Sequence, residues 1–299
     1  MTACAAAAVV LAGLTACTAQ QADKAAKPPV RSAKAAASSA RATVLAALAR
    51  TTSKTDHAQS ATITATITGA GQPAPMTASG TYTWGGDAPA FDTVIDTRSS
   101  GVSDLRADGH TRMLFVDGGY YYLIDPQKTG PFTGKHWLKV DASAVIGQQG
   151  KAAIGRGSSD PTVGLKALKG ARDVLDLGTE TVRGRATRHY LVRVGPSQWG
   201  EAGDALTGRT KDSQMGGYTG DVKEITIGLW VDPRTDLPVR MEETIGTAQV
   251  KIDFKSFGGP KTITAPRTSD IVDITDEVKG QSPQDSDDET TAGQDQTRI

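Results

Sequence analysis

The sequence predicts an α+β fold, a single antiparallel sheet of about 10–11 strands with a few helices. Three observations predict it. Short segments of alternating apolar and polar residues recur between residues 61 and 254, with Gly-, Pro- and Asp-rich turns between them. Helical spacing of apolar residues is confined to two short stretches. The two cysteines, Cys4 and Cys17, both lie in the first seventeen residues. Neither a disulfide framework nor a thiolate zinc site can therefore hold the domain, and the apolar face of the sheet must do so.

The elements follow in order. Ala40 to Thr52 is a helix, with Val44, Leu45 and Leu48 at helical spacing. Ala61 to Thr68 reads ATITATIT, placing Ile63 and Ile67 on one face and threonines on the other, the alternation of a half-buried strand. A Gly/Pro turn leads to strands at Met76–Trp84, Phe91–Arg98, Ser103–Asp108 and Thr111–Val116. Asp117-Gly118-Gly119 then turns the chain into Tyr120–Ile124, and Trp137–Val140 follows. Ser143 to Lys169 is Gly- and Ala-rich and carries a second helix from Pro161, with Val163, Leu165 and Leu168; proline suits the first helical position. Strands return at Arg172–Val182 and Thr187–Val194. Gln198 to Gly220 is a polar insertion. The closing strands are Glu224–Val231, Val239–Ile245 and Val250–Phe254.

The 299 residues carry 33 basic and 33 acidic side chains, so no net field draws the chain to nucleic acid. The N-terminus is more informative. Residues 5–14 read AAAAVVLAGL, the length of a signal-peptide hydrophobic region and well short of the roughly 20 residues of a transmembrane helix. They run into Leu14-Thr15-Ala16-Cys17, which resembles the lipobox of bacterial lipoproteins, with Cys17 the thiol that takes the lipid. The first basic residue is Lys24, so a basic leader is expected upstream of a start codon assigned too late. Residues 1–17 are thus read as signal peptide and lipobox, and 18–39 as a disordered tether. Residues 40–274 are the folded domain, and 275–299 a disordered acidic tail. The expected location is the outer face of the cell membrane, lipid-anchored.

Three segments carry a family resemblance. The first is Gly178-Thr179-Glu180-Thr181-Val182-Arg183-Gly184 with His189-Tyr190. The second is Leu229-Trp230-Val231-Asp232-Pro233 with Leu237-Pro238-Val239-Arg240. The third is Ile252-Asp253-Phe254, then Phe257-Gly258 and Ala265-Pro266. In this order and spacing the chain resembles the LppX/LprA/LprF/LprG lipoproteins of the LolA-like superfamily, over roughly residues 40–274. The resemblance implies a strongly curved half-barrel sheet with helices on its concave side. It also implies an apolar cavity between them and non-catalytic binding, in some members transfer, of lipids or acylated molecules.

The expected cavity residues are Leu114, Tyr120, Tyr122, Trp137, Leu175, Trp230, Met241, Ile252 and Phe254. Tyr120-Tyr121-Tyr122 near Trp137 is the most conspicuous apolar feature, suited either to a cavity mouth or to cross-strand packing. His57, His110, His136 and His189 lie in no metal-ligand spacing. No nucleophile elbow, HExxH or phosphate-binding loop is present, so neither an enzyme nor a bound cofactor is expected. The expected protein is a monomer whose partners are a lipid or acylated ligand and the membrane. The alternative is a lipoprotein sensor or interaction module with the same fold and a filled cavity, acting on a membrane or cell-wall partner.

Overall fold

A computed structural model describes residues 30–69, 74–84, 88–99, 105–145, 164–165, 168, 171, 173–195 and 222–281. Cys17, most of the tether, Pro161 and the polar insertion lie outside them. Two units are distinguished, Met1–Ser39 and Ala40–Ile299; only residues 30–39 of the first are described, and they are helical.

Alternation and turn chemistry produce most of the second unit. The strands are β1 (Ser60–Thr68), β2 (Met76–Thr83), β3 (Ala90–Asp96), β4 (His110–Val116), β5 (Gly119–Leu123) and β6 (Trp137–Asp141). They continue as β7 (Asp173–Val182), β8 (Arg185–Val194), β9 (Ile225–Asp232), β10 (Leu237–Ile245), β11 (Ala248–Gly258) and β12 (Ile271–Asp273). Among the described residues these twelve form one sheet in the order β12-β6-β5-β4-β3-β2-β1-β11-β10-β9-β8-β7. The pairings are antiparallel, save that β12 runs parallel to β6. The sheet is open and curved, the half-barrel that the resemblance implied. Bulges between Thr62 and Ile63, Asp176 and Gly178, and Pro238 and Arg240 bend and twist individual strands.

Helix α1 (Val30–Ala58) is more than twice as long as the stretch read from the sequence. Its buried positions are Val44, Ala47, Leu48, Thr51, Thr52 and Thr55, one continuous helical stripe. Two of the threonines complete it by bonding within the helix: Thr55 Oγ1 donates to the Thr51 carbonyl at 2.8 Å and Thr52 Oγ1 to the Leu48 carbonyl at 3.0 Å. Polarity hid them from a search for apolar periodicity. The N-terminal extension covers residues 30–39, which were expected to be disordered tether. Residues 37–43 are exposed, so the run of alanines propagates helix there by propensity rather than by packing. The helix stops where Gln59 adopts a left-handed φ of 62°.

Two further expectations are corrected, and one strand is added. Residues 105–109 form a turn instead of the C-terminal part of a strand: Arg106 pairs with Asp108 at 2.8 Å and with Asp125 at 3.5 Å, and Gly109 has φ 75°. This local ion pair favours a tight bend over extension. The acidic tail begins as helix α2 (Thr275–Gln281), led by Asp273, whose carboxylate accepts from the Thr275 N–H at 3.1 Å. Strand β12 had no legible alternation, because three residues are too few to show one.

Candidate functional site

Register decides which side chains share a face. Ile63 stands opposite Phe254, Ala65 opposite Ile252, Ile252 opposite Met241, and Met241 opposite Leu229. In the other direction Ala61 faces Tyr82, Tyr82 faces Phe91, Phe91 faces Phe115 and Phe115 faces Tyr120. Because cross-strand partners point to the same side, these residues lie on one surface. Val44 and Leu48 of α1 pack on it, and we call it the inner face.

The inner face has two halves. On β8–β11 and β1 it is aliphatic and closed. Ile63, Ile227, Leu229 and Met241 are at most 1 % exposed, beneath α1, Leu165 and Leu168. Leu165 and Leu168 belong to the second helix expected from the sequence. On β2–β5 the face is aromatic and more open: Tyr82, Met113, Tyr120 and Tyr122 are half-buried around Phe91 and Phe115. Ring centroids lie 5.0 Å apart for Tyr82–Phe91, 5.5 Å for Phe91–Phe115 and 5.0 Å for Phe115–Tyr120.

The electrostatics of this half are unusual for half-accessible groups. Desolvation, with a smaller contribution from neighbouring Tyr120, pushes the Tyr82 phenol up to about 12 and raises Tyr122 further. The sign of the consequence is clear. Below pH 10 both folded and unfolded Tyr82 are neutral. Between pH 10 and about 12 the unfolded chain ionises first, so stability falls through that window. Tyr82→Phe is expected to raise the midpoint of alkaline unfolding, followed by phenolate absorbance.

The expected cavity residues divide between the two faces. Tyr120, Tyr122, Met241, Ile252 and Phe254 lie on the inner face. Leu114, Trp137, Leu175 and Trp230 lie on the opposite, outer face, so they cannot border the same space. The physical reason is the period-2 pleat, which sends Tyr121 and Leu114 outward where Tyr120 and Phe115 go inward. Leu114 and Trp137 join an outer cluster with Ala90, Val116 and Tyr121, against Ile263, Ala265 and Ile271. Leu175 is 43 % exposed on the edge strand β7.

Trp230 anchors a polar network on the outer face. Its indole N–H donates to Glu180 Oε2 at 2.7 Å, and the His189 ring stacks on it at 4.0 Å. The same Glu180 oxygen is 3.2 Å from His189 Nδ1, and the Arg240 guanidinium lies 6.0 Å above the indole. Gly228 lets the indole lie flat, since a Cβ there would sit 3.1 Å from the ring. Sequence reasoning missed this assembly because its members come from β7, β8, β9 and β10. Trp230→Phe removes the N–H while keeping most of the ring. It is expected to cost about 1–2 kcal/mol in urea denaturation.

Among the described residues, no group of three or more His, Cys, Asp or Glu side chains is placed to hold a metal ion. No helix among them is long and apolar enough to cross a membrane.

No family model matches the chain. It is 28 % identical over 258 residues to an uncharacterized 31.2 kDa protein of Streptomyces griseus from the rplA–rplJ intergenic region, covering 80 % of this chain and 82 % of that one. It is 26 % identical over 203 residues to a candidate lipoprotein of Streptomyces coelicolor, covering 66 % of this chain and 62 % of that relative's length. Among solved structures it is similar to the Mycobacterium tuberculosis lipoprotein LppX, with TM-score 0.48 and 11 % identity over 74 % of this chain and 98 % of that one.

Proposed function

We propose that the chain is a membrane-anchored extracytoplasmic lipoprotein that binds a lipid or acylated molecule, without catalysis, along the inner face of its sheet. The observation that carries this reading is the aromatic half of that face: half-buried, desolvated and without a charged side chain. Of the expected cavity residues on this face, Tyr120 and Tyr122 are the proposed ligand-facing ones, while Met241, Ile252 and Phe254 belong to the closed aliphatic half. An acyl chain of about 16 carbons taken out of water gains on the order of 12 kcal/mol gross, enough to favour an apolar protein surface over solvent. Anchoring through Cys17 is supported by the lipobox and by the relative named as a candidate lipoprotein. Two acyl chains on that thiol would hold the chain stably at the bilayer, where one alone binds marginally.

The full chain carrying Cys17→Ser tests the binding. It is expected to co-purify with a stoichiometric lipid, identified by mass spectrometry after solvent extraction, and to take up a fluorescent fatty acid. Absence of both would overturn the reading. Labelled palmitate should enter the unaltered chain and not the Cys17→Ser variant.

A second reading is favoured by one observation. The aliphatic half is closed, with Leu229, Ile227 and Met241 at most 1 % exposed. A sensor or interaction module with a filled interior would look the same there. It would bind neither lipid nor probe and would instead retain a membrane or cell-wall partner.

A further inference from the structure

Resting on the lipid-binding reading, we infer that the ligand's polar end is uncharged and is held by the phenols of Tyr82 and Tyr122, which would make these two residues the specificity determinants of the inner face. Four observations support it. First, register places both phenols on the inner face with Tyr120, Tyr82 through Phe91 and Phe115, and Tyr122 directly opposite Met113. Second, among the described residues neither hydroxyl has a hydrogen-bond partner. The threonine hydroxyls on this half of the inner face are already committed: Thr93 Oγ1 donates to the Met113 carbonyl at 3.3 Å and Thr111 Oγ1 to the Leu123 carbonyl at 2.5 Å. Both residues still meet solvent, so each phenol can exchange water for a polar group that enters.

Third, no Lys, Arg, His, Asp or Glu lies on the inner face of β1–β6. The alternation along each strand turns every ionisable side chain of these strands outward, apart from the tyrosines themselves: Asp92 and Arg112 pair there at 2.6 Å, and Lys139 meets Asp273 at 2.7 Å. A carboxylate or phosphate brought to this wall would lose its hydration and find no cation, a penalty that an ester or hydroxyl group avoids. Fourth, Tyr82 and its neighbours adjoin the aliphatic half: Tyr82 packs on the cluster of Ile63, Met241 and Phe254 as well as on Phe91. A ligand lying along the aromatic half would then abut this closed apolar cluster.

The test uses the full chain carrying Cys17→Ser, three probes of equal acyl length and titration calorimetry at pH 8. The probes are 1-monooleoylglycerol, methyl oleate and oleate. The expected result is that monooleoylglycerol binds about tenfold or more tightly than oleate, whose carboxylate loses hydration on a wall without a cation. The Tyr82→Phe, Tyr122→Phe double variant should bind monooleoylglycerol and methyl oleate each several-fold more weakly than the parent, since each ring stays in place and only the hydrogen bonds are lost. Its melting temperature shows that it folds. Oleate binding as tightly as monooleoylglycerol, or a double variant with unchanged monooleoylglycerol affinity, overturns the inference and leaves lipid binding standing. Failure of all three probes to bind overturns both.

Discussion

Gly80→Ala is expected to shift the urea midpoint by the equivalent of about 3 kcal/mol, at the upper end of what overpacking costs. A Cβ at Gly80 would lie 2.1 Å from the Asp92 carbonyl oxygen and 2.6 Å from the Thr93 Cα. Both are backbone atoms of the neighbouring strand and cannot swing aside as a side chain would. Relief requires β2 and β3 to separate where Gly80 pairs with Thr93, at the junction of the closed aliphatic half with the aromatic half. The glycine is thus needed for close strand approach rather than for an unusual dihedral angle. Gly259→Ala is the control, because nothing lies within 4 Å of its missing Cβ. Equal midpoints for the two variants, with unchanged denaturant slope, would show that the strands accommodate the methyl group and that the argument is wrong.

Leu48→Asp is expected to have a larger effect, on the order of 5 kcal/mol, which is comparable to the whole stability of an ordinary domain. Leu48 is 2 % exposed in the cluster that joins α1 to β1, β9, β10 and β11. Truncation to alanine alone should cost about 3 kcal/mol, and the carboxylate adds the penalty of an unpartnered buried charge. Ala49→Asp, one residue along on the exposed side of the same helix, carries the same charge into water. It should cost less than about 0.5 kcal/mol beyond its helix propensity. Far-ultraviolet circular dichroism during urea titration reads all three variants. If Leu48→Asp and Ala49→Asp behave alike, α1 is not packed on the sheet as described.

The strands were legible to different degrees, for identifiable reasons. Ile63 and Ile67 in ATITATIT reveal β1 directly, because alternation is the imprint of a sheet with one buried face. Tyr120-Tyr121-Tyr122 reveals a strand equally well but not its orientation, since identical residues at consecutive positions carry no alternation. Helix α1 was half-legible. Val44 and Leu48 mark its buried stripe, while Thr51, Thr52 and Thr55 continue that stripe with residues whose polarity suggests the surface. Residues 105–109 misled in the opposite sense, because the Arg106–Asp108 pair that closes the turn is recognisable as local only in three dimensions.

The expected site shows the same division. Met241, Ile252 and Phe254 share one face, being cross-strand or same-face neighbours on adjacent hairpin strands. Trp137 and Trp230 were grouped with them on size and apolarity alone, and register places both on the outer face, Trp137 opposite the outward-facing Leu123 and Trp230 opposite His189.

The sequence by itself determined the strand-rich α+β class, most strand positions, and the lipobox-like motif ending at Cys17. These are local properties, written in periodicity, turn residues and short motifs. Only the tertiary structure decided which residues meet. It placed β11 beside β1 across nearly the whole length of the domain, divided nine expected cavity residues between two faces, and turned every charge on β1–β6 outward. The reason is that one residue of register moves a side chain from one face of a sheet to the other. That choice is made by the packing of α1 and the bulges of β7, β10 and β11 acting together, which no single segment of the chain encodes.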